Sequence, residues 1–146
     1  AVLANPGDKE FNLVPSTGLE NTIIFRGEES MGGYLGAVTV EVGRQGTEEA
    51  VNMAYKILTN FLAAEGIIDA EYRKSDPEYF KYYKTVEGDW EFLGENFTKI
   101  GKGEAYARSG EEQLIAEEDF FPVLMSTDGY DGQLGFMARK LDRNKD

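Results

Sequence analysis

Apolar residues in the first part of the chain occur in runs of strand length. Leu35–Val42 is almost continuously apolar and rich in β-branched side chains, which predicts a strand covered on both faces. Asn21–Gly27 contains a second apolar run of strand length, and Phe11–Val14 suggests a short strand that ends at Pro15. The pattern therefore predicts several strands within the first 42 residues.

A helical period follows the predicted strand Leu35–Val42. Thr47 is the predicted N-cap, and Glu48 and Glu49 fit the first turn, where acidic side chains interact favourably with the helix dipole. The helix is predicted to run to Ala64, with Gly66 as its C-terminal stop. A buried strand that leads into an amphipathic helix indicates an α/β unit. The apolar positions expected to form the buried face of this helix are Val51, Ala54, Tyr55, Leu58, Phe61 and Leu62.

The pattern changes after Asp69. A polar segment that contains a proline follows, and from there the chain alternates between short β-prone runs and turns rich in glycine or acidic residues. Turn signals every ~8–12 residues are typical of a small sandwich or barrel. The predicted fold class is α+β, with a partial α/β segment in residues 1–70 and a small all-β domain of the barrel-sandwich type in residues 71–146.

Composition excludes several classes of chemistry and partner. The net charge is −12, from 27 acidic and 15 basic residues, and such a field repels nucleic acid and anionic membranes. The chain has neither cysteine nor histidine, which excludes disulfides, thiolate catalysis and imidazole as a base or zinc ligand. No segment approaches the ~18 apolar residues of a membrane span, and the first residues lack the pattern of a secretory signal. A cytoplasmic protein without a membrane or nucleic-acid partner is expected.

Glu41 is a lone carboxylate inside the apolar run, followed closely by Gly43 and Arg44. In open α/β sheets, functional side chains gather at the carboxyl ends of strands. Partial removal from water there suits a carboxylate for proton transfer. The alternative is a strand-end acid that pairs with Arg44 or is solvated at the rim of the sheet. The residues themselves leave both interpretations open.

Three further side chains are candidates for substrate binding. Arg26 and Arg44 are the basic residues nearest to Glu41 along the chain, and either could bind an anionic substrate through its guanidinium group or form a surface ion pair. Tyr130 lies in the tandem Asp-Gly turn Ser126–Gly132, where it could donate a hydrogen bond to a substrate carboxylate or pack on the rim.

The order of these segments resembles the C-terminal half of the succinylglutamate desuccinylase/aspartoacylase family, from about Gly33 to Leu141. "AVTVEVGRQG" is similar to the family's strand that ends in glutamate, glycine and a short polar turn. "NFLAAEGII" resembles the end of the helix that follows it, and "FTKIGKGEAYARSGEEQLIAEEDFFPVLM" resembles the C-terminal β domain. The resemblance implies a partial zinc-peptidase-like α/β segment followed by a β-rich domain.

The resemblance also implies roles for individual residues. Glu41 matches the family's glutamate that acts as general base and acid on a zinc-bound water. Tyr130, eight residues after Pro122, matches a substrate-binding tyrosine. Some members have an arginine ten residues before the glutamate, but Met31 occupies that position here, and Arg26 could replace it only if the loop is rearranged.

The main departure from the family is the absence of histidine. The family binds zinc through a His-x-x-Glu pair and a later histidine, whereas this chain has no histidine at all. Zinc is therefore implied for the full family site, and no metal ligand is assigned to this chain. The expected function is the C-terminal part of a zinc-dependent hydrolase that deacylates N-acyl amino acids or similar amides or esters, and the chain alone is expected to be inactive.

Two alternatives to the hydrolase remain. One is a non-catalytic binding or scaffolding domain that keeps the fold without the metal site, and the other is an independent β-rich ligand-binding protein. The expected partners of the hydrolase are a small acylated amino acid and either a second copy of this chain or an N-terminal partner chain. Association is expected because missing strands would leave a sheet edge exposed.

Overall fold

The computed structural model describes residues 1–4, 9–24, 38–129 and 131–142, with the side chains of residues 9 and 10 omitted. The chain forms two compact units, Ala1–Tyr79 and Phe80–Asp146. Both helices of the described residues lie in the first unit, which also contains three short strands. The described part of the second unit is built from β-strands, and the fold as a whole is mixed α/β.

The strands of the first unit are β1 (Val2–Leu3), β2 (Asn21–Ile24) and β3 (Thr39–Val40). β1 lies between the other two, parallel to β2 and antiparallel to β3. Val2 pairs with Thr22 on one side and with Val40 on the other. The side chains of both β1 residues are buried.

Two of the sequence-based expectations for this unit are wrong. Within the described residues 38–42, only Thr39 and Val40 are in a strand, and these five residues are half-buried rather than covered on both faces. The physical reason is that β3 lies at one end of the sheet that the described residues form, where it has a hydrogen-bonded neighbour on one side only. Phe11–Val14 is part of a 3₁₀ helix, Lys9–Thr17, and not a strand. The Thr17 hydroxyl supports that helix by donating a hydrogen bond to the carbonyl oxygen of Val14 at 2.7 Å.

The helix α1 (Glu48–Ala64) has the ends that its sequence predicts. Thr47 is extended, and its hydroxyl oxygen accepts a hydrogen bond from the backbone N–H of Ala50 at 3.2 Å. At the other end, the backbone N–H of Gly66 donates to the carbonyl oxygen of Ala63 at 3.0 Å. The predicted buried face is wrong in part, because the side chains that are fully buried are Ala50, Ile57 and Ala63.

We expect Thr47→Ala to lower the free energy of unfolding by about 0.5–2 kcal/mol, because the N–H of Ala50 would lose its partner at the helix start. Urea denaturation followed by circular dichroism at the helical band measures this loss. Thr47→Ser retains the hydroxyl and is the matched control. Equal stability of the alanine and serine variants would show that the cap does not contribute.

Asn60 connects three segments of the first unit through its side-chain amide. Its nitrogen Nδ2 donates hydrogen bonds to the carbonyl oxygens of Ser16 and Arg73, both at 2.9 Å, and its oxygen Oδ1 accepts from the backbone N–H of Arg73 at 2.8 Å. The Arg73 guanidinium in turn pairs with Glu20 at 2.8 Å. These contacts attach the polar segment that follows α1 to α1 itself and to the 3₁₀ helix.

The strands of the second unit form two antiparallel groups, each of three strands. In one group β9 lies between β4 and β8, and in the other β6 lies between β5 and β7. The described residues of this region form six strands, which agrees with the predicted alternation of short β-prone runs and turns. The six strands are β4 (Glu78–Glu87), β5 (Glu91–Phe92), β6 (Ala105–Ser109), β7 (Glu112–Ile115), β8 (Phe121–Val123) and β9 (Gln133–Lys140).

One apolar core serves both groups of strands. Val86 of β4, Tyr106 of β6 and Leu134 of β9 belong to the same buried cluster. Phe120 lies in this cluster, and its ring contacts that of Tyr106 edge to face, with centroids 5.1 Å apart. The two groups of strands therefore face each other across shared apolar side chains, and burial of these side chains stabilises the unit.

Candidate functional site

Glu41 directly follows β3, and backbone hydrogen bonds fix its position. Its N–H donates to the carbonyl oxygen of Ala1 at 2.8 Å, and its carbonyl oxygen accepts from the Ala1 nitrogen at 3.0 Å. These bonds continue the antiparallel pairing of β1 with β3 by one residue. The Glu41 residue is half-buried, and these bonds fix its backbone at the end of β3.

A cavity of about 460 Å³ lies within the first unit, and Glu41 does not line it. Val38, Val40 and Val42 do line it, and residues of an extended chain point alternately to opposite faces. Glu41 therefore projects from the other face of this segment. The other lining residues in the described part of the chain come from the 3₁₀ helix and α1: Leu13, Thr17, Ala54, Ile57, Leu58 and Phe61. Sequence reasoning missed this cavity, although the alternation of valines around Glu41 is a signal that could have located its wall.

The turn after Glu41 positions Arg44 in solvent. Gly43 has φ +117°, a backbone conformation that side chains with a Cβ rarely adopt, so the sharp exit from the strand depends on glycine. The carbonyl oxygen of Arg44 accepts a hydrogen bond from the Thr47 hydroxyl at 2.9 Å, which ties the turn to the start of α1. Among the described residues, Glu41 and Arg44 form no ion pair. The structure thus gives no support to a Glu41–Arg44 salt bridge as the reason for the strand-end acid.

Arg26 and Tyr130 lie outside the described residues. The two candidates that the structure describes, Glu41 and Arg44, lie on one short segment, and no ion pair between their side chains is found among the described residues. The turn that carries Tyr130 is held on both sides, because Thr127 Oγ1 accepts from the N–H of Phe92 at 3.1 Å and Asp89 Oδ1 accepts from the N–H of Gly132 at 3.2 Å.

Solved structures with the same fold were found for nearly the whole chain. An aspartoacylase family protein from Mesorhizobium loti superposes with a TM-score of 0.70 at 13% identity, covering 97% of this chain and 52% of that one. Succinylglutamate desuccinylase from Vibrio cholerae gives a TM-score of 0.66 at 17% identity, covering 97% and 48%. The ectoine utilization protein EutE (DoeB) from Ruegeria pomeroyi gives 0.65 at 19% identity, covering 95% and 52%.

The chain has the fold of the succinylglutamate desuccinylase/aspartoacylase family. It spans about half the length of these structures, which is consistent with the C-terminal portion that the sequence predicts. At identities below 20% the likeness concerns the fold and does not identify a reaction. No protein-family model and no curated protein matches the sequence.

Zinc, which the resemblance to the desuccinylase/aspartoacylase family implies, does not fit the donor groups of this chain. The sequence has no histidine and no cysteine, the two residue types that supply nitrogen and sulfur ligands. Carboxylates remain, but the described ranges contain no group of three or more Asp and Glu side chains placed to hold a metal ion. A zinc site with nitrogen or sulfur ligands therefore needs residues from outside this sequence.

A second polar cluster lies on the β-rich unit and does not resemble a catalytic site. The Arg139 guanidinium carbon lies 4.7 Å from the centre of the Tyr83 ring, and Arg139 also pairs with Glu118 at 3.0 Å. Burial, followed by the negative charge of Glu118, raises the pKa of Tyr83 to about 12. The phenol is therefore neutral at physiological pH, and the exposed ion pair covers its ring.

Within the described residues, no helix has the length and apolar character needed to cross a membrane.

Proposed function

We propose that this chain is the C-terminal portion of a deacylase-like hydrolase that cleaves N-acyl amino acids or similar amides and esters. The observation that carries the proposal is the fold match, which covers 96–97% of this chain in desuccinylase and aspartoacylase family structures. As part of the same proposal, the second unit is a small all-β domain of the barrel-sandwich type. The substrate class comes from the names of those proteins.

In this proposal, Glu41 is the general base and then the general acid. Its carboxylate takes a proton from the attacking water as the new bond to the acyl carbon forms, and it delivers that proton to the amine as the carbon–nitrogen bond breaks. The paired backbone bonds to Ala1 support the role, because proton transfer needs a group held at fixed distance from the reacting atoms.

Substrate binding in this proposal uses the three remaining candidates, Arg44, Arg26 and Tyr130. A guanidinium group binds a carboxylate through two parallel hydrogen bonds, and a phenol adds a third donor. The exposed side chain of Arg44, three residues from Glu41, is available for this contact.

The second candidate function is a non-catalytic binding or scaffolding domain. It is favoured by the absence of histidine and cysteine from the sequence and by the lack of a three-carboxylate group in the described ranges. In that case the chain keeps the fold of the hydrolases without their reaction.

Hydrolysis of N-succinylglutamate and N-acetylaspartate, measured together with zinc content, distinguishes the two functions. The 146-residue chain alone is expected to bind no stoichiometric zinc and to hydrolyse neither compound. The natural polypeptide that carries these residues, purified with any chain that binds it, is expected to contain zinc and to hydrolyse at least one N-acyl amino acid. A zinc-free natural assembly that is inactive on a panel of N-acyl amino acids would leave the scaffolding function.

A further inference from the structure

The segment Val38–Val42 alternates between valine and a polar side chain. Its three valines line the cavity, so Thr39 and Glu41 lie on the opposite face of the sheet. By the pairing of the strands, Leu3 and Ile23 share that opposite face, and both are buried. Glu41 therefore lies at the border of a covered apolar surface, which is a common surrounding for the few polar groups that orient a small molecule.

Asn21, the first residue of β2, lies on the same face as Glu41 and at the same level of the sheet. β1 and β2 are parallel with Val2 beside Thr22, so Ala1 lies beside Asn21. On its other side, Ala1 exchanges two backbone hydrogen bonds with Glu41. Asn21 and Glu41 therefore flank Ala1, and the spacing of neighbouring strands puts their Cα atoms about 10 Å apart.

Only a methyl group lies between these two polar side chains along the sheet. Ala1 supplies that methyl group, which is shorter than the amide side chain on one side and the carboxylate side chain on the other. Asn21 and Glu41 are both half-buried, and the Asn21 amide forms no hydrogen bond with another described residue. The amide nitrogen thus has two donors for a small polar group that binds beside Glu41.

We propose that Asn21 is a substrate-binding residue whose side-chain amide donates a hydrogen bond to the α-carboxylate of the N-acyl amino acid. This inference rests on the proposed function, in which Glu41 protonates the leaving amine. The α-carboxylate is bonded to the carbon that carries this amine, so it lies close to Glu41 in any reactive complex. A neutral amide suits the position, because a lysine or arginine there would form an ion pair with Glu41 and compete for the base.

Steady-state kinetics on the natural assembly test the role of Asn21, with N-acetyl-L-aspartate and N-succinyl-L-glutamate as substrates. Asn21→Ala is expected to raise KM about 10–100-fold with little change in kcat, because the hydrogen bond to the carboxylate holds the substrate before and during the reaction. Asn21→Asp has nearly the same shape and is expected to raise KM further, because its charge repels the carboxylate. Gln113→Ala removes an exposed amide from β7 and is the matched control, with KM unchanged.

Substrates without the α-carboxylate separate binding from a structural effect. N-acetyl-β-alanine and N-succinyl-γ-aminobutyrate are the two substrates with that group removed. Asn21→Ala and Asn21→Asp are expected to leave KM for these analogues within about twofold of the parent, because the analogues have no group for the amide to bind or the new carboxylate to repel. Equal losses with the analogues and the full substrates would mean that Asn21 acts on the fold, and the inference would be wrong.

Calorimetric binding of the full substrates in a Glu41→Gln background distinguishes failure of this inference from failure of the proposed function. Asn21→Ala is expected to raise Kd about 10–100-fold there as well. Hydrolysis by the natural assembly with KM and Kd unchanged by Asn21→Ala overturns the inference and leaves the hydrolase in place. Binding that depends on Asn21, without any hydrolysis, supports the inference as a binding site and contradicts the proposed reaction. Neither hydrolysis nor binding that depends on Asn21 contradicts both.

Discussion

Replacing Glu41 by glutamine is expected to lower the rate of N-acyl amino acid hydrolysis by about 10²–10⁴-fold in an active preparation, the usual contribution of a general acid–base. Glutamine has nearly the same shape, but it cannot take up a proton at neutral pH. The backbone bonds between residue 41 and Ala1 do not involve the side chain, so the fold is expected to be unchanged.

Steady-state kinetics on the natural assembly measure this loss, with N-succinylglutamate and N-acetylaspartate as first substrates. The loss is expected in kcat with little change in KM, because the proton moves only during the reaction. Glu112→Gln, an exposed substitution in β7, is the matched control and is expected to retain full activity. Full turnover by the Glu41→Gln enzyme would remove Glu41 from the mechanism and leave the fold comparison unaffected.

Local signals in the sequence predict the bounds of α1 and the strands of the second unit. Thr47 and Gly66 act on their own neighbours through a side-chain cap and a turn, so their effect does not depend on distant parts of the chain. The strands β4 to β9 lie between turns that glycine and acidic residues favour. These features are encoded over a few residues and can be read directly.

Long-range contacts account for what the sequence did not predict. The Asn60 side chain bonds to Ser16 and Arg73, which are 44 and 13 residues away, and no periodic pattern indicates such pairs. The apolar period of α1 correctly predicts a helix, but it cannot say which part of the apolar face the same chain covers. The period places Val51, Tyr55 and Leu58 on the buried face, whereas the structure exposes all three side chains.

The candidate site was predictable in one respect. Glu41 was recognised as a carboxylate at the end of a strand, and the structure places it there, with its backbone paired. The pattern does not predict the cavity beside it, because the apolar run that contains Glu41 indicates a strand buried on both faces. The alternation of the valines around Glu41 instead separates an apolar wall from the face that carries the carboxylate.

We expect Phe120→Ala to destabilise the β-rich unit by about 3–5 kcal/mol, the usual cost of removing a buried aromatic side chain and leaving a cavity. Phe120 is 1% exposed, and its ring contacts that of Tyr106 in the core shared by the two groups of strands. Its backbone also exchanges two hydrogen bonds with that of Ile100, at 2.9 and 3.0 Å. This pair of bonds fixes the backbone that carries the Phe120 ring. Since small domains have total stabilities of about 5–15 kcal/mol, this loss is large enough to unfold a measurable fraction of the unit.

The fluorescence of Trp90 measures this loss of stability in the β-rich unit, in which Trp90 lies. It is the one tryptophan in the sequence, and it packs against the cluster that contains Phe120. Urea denaturation is expected to show a lower midpoint for Trp90 emission in Phe120→Ala, whereas Ile115→Ala, at a 48% exposed position, is expected to unfold close to the parent. The helical circular dichroism signal of α1 reports the first unit in the same samples. A Trp90 midpoint unchanged by Phe120→Ala would mean that the shared apolar core does not determine the stability of the β-rich unit.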